Sequence, residues 1–108
     1  MMIKVVEYLD AAGRSPFGDW FDGLDGQAAV KVRRSVARME AGNFGDTKPV
    51  GKGVVERRID VGPGYRIYFG RDGDELVILL AGGTKKRQQK DIEAAQRLWS
   101  DYKDRKRG

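Results

Sequence analysis

The sequence contains no cysteine and no histidine, and each absence narrows the chemistry open to it. Without cysteine, disulfide bonds, thiolate nucleophiles and cysteine-ligated metal sites are excluded. Without histidine, the side chain that most often transfers protons near neutral pH is missing, and so is the commonest ligand of catalytic zinc. Any catalysis must therefore use aspartate, glutamate, lysine, arginine, tyrosine, serine, threonine or backbone groups.

Long hydrophobic runs are also missing, because none approaches the ~20 apolar residues that a membrane span requires. The segment Met1–Val6 predicts a strand, and it lacks the longer apolar core and small-residue cleavage site of a secretory signal. We therefore expect a cytoplasmic protein without a membrane partner. The length of 108 residues predicts a single domain over residues 1–108.

The charge is unevenly distributed along the chain, whose net charge is +5. Residues 1–30 carry a net charge of −3, residues 31–84 carry +3 and residues 85–108 carry +5. A basic excess in the C-terminal part favours a polyanionic or acidic partner, either nucleic acid or an acidic protein. The alternative is that the charge only keeps the protein soluble.

The hydrophobic pattern of the first half predicts one strand followed by two helices. β-Branched and aromatic residues predict the strand over residues 2–9. Apolar residues at helical spacing predict helices over residues 16–24 and 26–41, with Ser15 and Asp25 as their N-caps. These elements predict an N-terminal helical hairpin.

The second half begins with a predicted loop over residues 43–53. Period-two alternation then predicts three strands, over residues 54–61, 65–71 and 75–81. Gly82 and Gly83 are expected to end the last strand, and a final helix is predicted over residues 85–105. The chain therefore indicates an α+β domain: a mostly antiparallel sheet of about four strands, flanked by the N-terminal helical hairpin and a C-terminal helix.

Side chains alternate along a strand, and this places four functional side chains on one face of the predicted sheet: Glu56, Arg58, Arg66 and Tyr68. Arg57 then belongs to the opposite face, which faces the core. Arginine binds phosphate and stabilises its developing charge, a tyrosine ring stacks on an unpaired base, and a carboxylate accepts a proton. The group predicts RNA-directed chemistry on an open face. The alternative is a solvated face with cross-strand Glu–Arg pairs.

Three consecutive cations, Lys85, Lys86 and Arg87, lie at the junction between the last strand and the last helix. Cations beside glycines and free helix amides can bind phosphate, although a solvated helical turn or a protein contact would explain them equally. We expect Lys86 and Arg87 to bind RNA, together with Tyr68 and Lys52. No constellation of metal ligands appears, and we expect neither a metal nor another cofactor.

The segment Val55–Phe69 contains the blocks Glu-x-Arg-Ile-Asp and Gly-Pro-Gly-Tyr-Arg, and Leu79–Lys85 and Gln88 follow it. With these motifs, the chain resembles the HigB-like "addiction module killer" branch of the RelE/ParE toxin superfamily. The resemblance implies a compact sheet flanked by helices and a toxin of a type II toxin–antitoxin system. It also implies three kinds of partner: the ribosome with mRNA, a cognate antitoxin of the helix-turn-helix type, and operator DNA reached only through that antitoxin.

The resemblance also implies roles for individual residues. Arg66 matches the arginine of the Tyr-Arg motif, which stabilises the transition state, and Arg58 matches a basic residue on the preceding strand. Glu56 is either the base or a partner of Arg58. Lys85 corresponds to a late basic residue, with Lys86 as the alternative. RelE carries a tyrosine early in its last helix, where this chain has Gln88, Gln89, Lys90 and Asp91.

The activity implied by RelE and HigB relatives is ribosome-dependent, metal-independent cleavage of mRNA, which inhibits translation. The 2′-hydroxyl attacks the adjacent phosphate, and basic residues take the place of histidines. Two alternatives stay open: a ParE-like gyrase inhibitor, which shares the fold, and an interaction module without catalysis.

Overall fold

A five-stranded mixed sheet lies at the centre of the fold in a computed structural model that describes residues 2–108. Its strands are β1 (Lys4–Glu7), β2 (Thr47–Pro49), β3 (Val54–Ile59), β4 (Tyr65–Arg71) and β5 (Leu76–Thr84). The α-helices are α1 (Pro16–Asp22), α2 (Gly26–Glu40) and α3 (Gln88–Arg107), and a 3-10 turn (Lys85–Arg87) precedes α3. No helix within residues 2–108 is long and apolar enough to cross a membrane.

The strand order across the sheet is β1-β5-β4-β3-β2, with β1 parallel to β5 and the other neighbours antiparallel. The predicted α+β class is confirmed, whereas the predicted sheet of about four strands is one strand too small. The added strand, β2, lies in the segment that the sequence predicts to be a loop. Its three residues show no apolar alternation and end in Pro49, which an edge strand tolerates because one side of its backbone has no sheet partner.

The helices α1 and α2 cover one face of the sheet. Ser15 Oγ and Asp25 Oδ1 each accept a hydrogen bond from the amide three residues later, at 2.8 and 2.9 Å, so both predicted N-caps are confirmed. Arg57 is buried on this face, where its Nη2 lies 3.5 Å from Ser35 Oγ. The prediction that Arg57 faces the core is therefore confirmed.

The helix α3 covers the opposite face. Its buried residues Ala95 and Trp99 pack with the sheet residues Val54, Tyr68, Ile78 and Leu80. Glu56 and Arg66 lie on this same face and are buried. The prediction of an open face is therefore wrong, because the apolar side of α3 must bury itself against the sheet and the residues around Glu56 offer the matching surface.

The strand β5 continues through Gly82 and Gly83 to Thr84, contrary to the prediction that the two glycines end it. A side chain at Gly82 would overlap the indole of Trp20, and one at Gly83 would overlap the carboxylate of Asp91. The glycines therefore allow helices on both faces to approach this strand closely. The predicted start of the last helix is also shifted, because residues 85–87 form the 3-10 turn.

The C-terminal half of α3 makes side-chain hydrogen bonds to two segments that are far from it in sequence, one just after β1 and one in the β4–β5 turn. Tyr8, just after β1, donates a hydrogen bond from its hydroxyl to Asp101 Oδ2 at 2.5 Å. Tyr102 donates to Asp72 Oδ2, in the β4–β5 turn, at 2.7 Å, and Lys106 Nζ contacts the same carboxylate. Hydrogen bonds from Lys106 and Tyr102 lower the pKa of Asp72, so this carboxylate stays charged at neutral pH.

Trp99 packs against two glycines of the sheet region, Gly53 and Gly70, and is 5% exposed. A Cβ atom built on Gly70 would lie 2.5 Å from Trp99 Cε3, closer than carbon atoms can approach. The absence of a side chain at residue 70 therefore sets how closely α3 can approach β4.

We predict that Gly70→Ala lowers the free energy of unfolding by about 1–3 kcal/mol, because the new methyl group overfills a packed core. Gly26→Ala is the matched control, since a methyl group there would meet no atom within 4 Å and the residue is helical. The control is expected to stabilise by about 0.4–1 kcal/mol or to be neutral. Urea unfolding of both variants measures the difference, and equal midpoints would contradict this account of the packing.

Candidate functional site

Glu56 lies near the middle of the sheet face beneath α3. On β3 it is the cross-strand neighbour of Lys48 on β2 and of Tyr68 on β4. Glu56 and Tyr68 are fully buried, whereas the side chain of Lys48, on the edge strand, is 51% exposed. The neighbouring positions on β2, β3 and β4 therefore carry a solvated cation, a buried carboxylate and a buried phenol.

The carboxylate of Glu56 is held by three side chains. Arg66 Nε lies 3.6 Å from Glu56 Oε2, and Gln88 Nε2 donates a hydrogen bond to the same oxygen at 2.9 Å. Lys48 Nζ lies 4.0 Å from Oε1. Burying two charged side chains costs free energy, and the short distance between Glu56 and Arg66 offsets part of that cost.

Tyr68 contributes to packing in this arrangement. Burial raises the pKa of its hydroxyl well above the usual value, and the neighbouring Glu56 carboxylate raises it further. The hydroxyl therefore stays protonated at neutral pH. Because α3 covers the ring, Tyr68 cannot stack on an RNA base unless the helix moves away from the sheet.

Arg58 and Arg66 are direct cross-strand neighbours at the end of the β3–β4 hairpin. Arg66 is 6% exposed, and its Nη1 donates a hydrogen bond to the Gly64 carbonyl at 3.2 Å. The backbone amide of Lys85 donates to the same carbonyl at 3.1 Å. Arg58 is about half exposed, with its Nε 3.9 Å from Asp46 Oδ2. The turn thus brings Arg58, Arg66 and Lys85 together. We call these three residues the rim, because they lie at the edge of the buried cluster that contains Glu56, Arg66 and Tyr68.

The predicted RNA-binding residues lie in two separate places. Lys85, Lys86 and Arg87 are exposed in the 3-10 turn, and within residues 2–108 none of them has an acidic partner within 4.0 Å. Lys52 lies in the turn before β3, whereas Arg58 lies near the end of that strand, so about 13 Å of strand from Val54 to Arg58 separates them. Lys52 is therefore not part of the rim formed by Arg58, Arg66 and Lys85.

Residues 19–100 match the family model described as "Phage derived protein Gp49-like". The matched segment covers most of the chain and includes every residue of the buried cluster. The chain belongs to the Gp49-like family. This family is RelE-like and toxin-like, which implies an antitoxin as partner.

The Gp49-like chain is also similar to a curated protein of Haemophilus influenzae that bears the name "Uncharacterized protein". The two are 45% identical over 83 residues, which is 76% of this chain and 84% of the relative. The relative therefore supports the family membership and adds no activity of its own.

The sequence pattern does not predict three residues of the Gp49-like site. Lys48 lies on the strand β2, which the sequence does not reveal, and Gln88 and Asp91 lie on α3, which the sequence does not place over this face. Burial raises the pKa of Asp91, although nearby Arg87 opposes the shift, and the carboxylate packs against Gly83. The polar run at the start of α3 was the one available signal, since buried polar side chains there need polar partners. No group of three or more acidic side chains within residues 2–108 is placed to hold a metal ion.

We predict that Arg66→Met in this Gp49-like protein lowers the free energy of unfolding by about 3–5 kcal/mol, because it leaves the buried Glu56 carboxylate without its counter-charge. Adding Glu56→Gln is expected to restore part of the loss, since the amide needs no cation. Arg58→Met is the matched control on an exposed neighbour and should change stability by about 0.5 kcal/mol or less. Chemical unfolding of the unmodified protein, of the single variants Arg66→Met and Glu56→Gln and of the double variant gives the coupling free energy. An additive double variant would show that the two charges are independent.

Proposed function

We propose that this Gp49-like protein is the toxin of a type II toxin–antitoxin system and that it cleaves mRNA on the ribosome, in the manner of HigB-like toxins. The observation that carries the proposal is the meeting of Arg58, Arg66 and Lys85 at one turn. Three cations at one rim suit a phosphate whose negative charge grows in the transition state. The neighbouring Lys86 and Arg87 add cations that suit the RNA backbone on either side.

Arg66 is the central group in the proposed reaction. Its guanidinium is fixed by Glu56 on one side and by the Gly64 carbonyl on the other, so it is oriented before RNA arrives. Preorganised donors stabilise developing charge without the cost of reorganisation during the reaction. Arg58, which is more exposed, approaches the same phosphate from the neighbouring strand.

The proposed reaction is an internal transfer of the phosphate. The 2′-hydroxyl oxygen bonds to the adjacent phosphorus and releases its proton to water, while the bond from phosphorus to the 5′-oxygen breaks. The ammonium group of Lys85 gives a proton to the leaving 5′-oxygen. The products are a 2′,3′-cyclic phosphate and a 5′-hydroxyl, and the chemistry needs no histidine.

Glu56 serves in this proposal as the counter-charge of Arg66 rather than as the base. The carboxylate has no exposed surface, its Oε2 atom accepts a hydrogen bond from Gln88, and Arg66 Nε lies 3.6 Å from the same oxygen. A base for the 2′-hydroxyl must come within hydrogen-bond distance of it, which this position does not allow. The proposed partners are the ribosome with mRNA and a helix-turn-helix antitoxin, which alone would contact operator DNA.

The decisive variant is Arg66→Lys, which keeps a cation beside Glu56 but loses the two-pronged contact with phosphate. We expect cleavage of mRNA on programmed ribosomes to fall about 100-fold or more, and growth arrest in cells to be relieved. Arg97→Lys, an exposed position on α3 away from the rim, should leave cleavage unchanged. Mapping of mRNA 5′ ends after induction measures the effect, and circular dichroism checks that both variants fold.

Persistent growth arrest with intact mRNA would contradict the nuclease. If a DNA-damage response accompanied it, gyrase inhibition would replace the proposal, since that activity shares the fold. If the protein bound its antitoxin but caused neither cleavage nor DNA damage, an interaction module without catalysis would remain. The three outcomes are distinguished by one induction experiment with both readouts.

A further inference from the structure

A cleft of about 430 Å³ lies on the far side of the β3–β4 turn from Arg66. One wall is the first half of α2, and the other is the turn itself, with Val61, Pro63 and Tyr65. The proposed reaction at the rim uses none of these side chains. The cleft is therefore a second feature of the same turn that the nuclease proposal leaves without a role.

The walls of the cleft are largely apolar and include one aromatic ring. Val30 is 45% exposed there, although a valine of this kind is usually covered. The Tyr65 ring is held in place by Trp20, with ring centroids 6.3 Å apart at an angle of 62°. An open cleft with a fixed ring and apolar sides suits a flat, partly apolar group such as a nucleobase.

Two cations border the apolar walls. Lys31 and Arg34 lie one helical turn apart on α2, both exposed, and among the described residues neither has an acidic partner within 4.0 Å. Asp25, at the other end of the cleft, already accepts the hydrogen bond of the Ala28 amide as the N-cap. An anion in the cleft would therefore be held by the two side chains rather than by the helix amides.

The cleft and the rim lie on either side of the same β3–β4 turn. Gly64 accepts hydrogen bonds from Arg66 and from the Lys85 amide, while the preceding Pro63 lines the cleft. Tyr65 and Arg66 are adjacent on β4 and so project to opposite faces of the sheet. A strand of RNA that follows this end of the hairpin passes from Arg66 to Tyr65 across a single turn.

We propose that this cleft is a subsite for an unpaired nucleotide beside the scissile phosphate. Its base lies between Val30, Pro63 and the ring of Tyr65, and its phosphate is bound by Lys31 and Arg34. The subsite rests on the proposed RNA cleavage, and it gives the protein a means of selecting the base at that position.

The test uses the whole chain with the Arg66→Lys change and no ribosomes, so that binding is measured apart from cleavage. The probe is a fluorescein-labelled single-stranded RNA of about twelve nucleotides in low salt, long enough to span a typical single-strand site. Adding Lys31→Ala and Arg34→Ala is expected to weaken binding about tenfold or more. The matched control adds Arg38→Ala and Arg97→Ala, which remove the same charge outside the cleft and should weaken binding by less than about threefold.

A second arm tests the base contact, using RNA in which each nucleotide in turn is abasic. One abasic position should weaken binding about tenfold for the protein with an intact cleft, because a stacked base is lost. The same abasic position should weaken binding to the Lys31→Ala, Arg34→Ala protein by a smaller factor, since that protein no longer holds the nucleotide in the cleft. Abasic positions that all behave alike would overturn the subsite.

Two other outcomes would also overturn it. If both charge-removal variants weaken binding equally, the cleft cations act only through total charge. If the cleft variant binds RNA normally but escapes neutralisation by the antitoxin, the cleft is a protein interface. Failure of the nuclease is a separate result. Ribosomes that leave mRNA intact, with RNA binding still lost in the cleft variant, would remove the reaction and leave the cleft as a nucleotide-binding site without a scissile phosphate.

Discussion

The burial of Glu56 constrains this structure more than any other single interaction. A carboxylate without solvent must have a cation and hydrogen-bond donors, and those come from three different elements: Arg66 on β4, Gln88 at the start of α3 and Lys48 on β2. Pairs of this kind add little net stability, because removing two charges from water costs several kcal/mol. What the pair contributes is position, since the Gln88 hydrogen bond ties the start of α3 to the carboxylate and the Gly64 carbonyl orients Arg66 beside it.

The sequence predicted which residues share a face better than it predicted what covers that face. Alternation correctly separated Arg57 from Arg66, because the period of a strand is a local property of the backbone. The packing of α3 is a property of the whole chain, and it turned an expected open surface into a buried one. The strand β2 and the continuation of β5 through Gly82 were missed for a related reason, since both depend on partners distant in sequence.

The sequence correctly placed Glu56, Arg58, Arg66 and Tyr68 on one face of the sheet, but it did not predict how deeply each side chain is buried. Arg58 and Lys85 are exposed at the turn that Arg66 also contacts, whereas Arg66, Glu56 and Tyr68 lie beneath the surface on which they were expected. Charge patterns identify cations that could bind RNA, but they carry no information on depth. The exposure of a side chain decides whether it can touch a substrate or only position its neighbours. That exposure depends on how α3 packs against the sheet.

The parallel pairing of β1 with β5 also determines when the fold can form. The strand β1 is made first, yet its register partner begins at Leu76, and α3 follows last. Such long-range contacts form slowly, and β1 cannot pair with β5 until the residues from Leu76 onward have been added. A chain that stops before residue 85 has neither Lys85 nor a cover for Glu56. The surface proposed to act on RNA therefore forms only after the residues of α3 have been added and packed on the sheet.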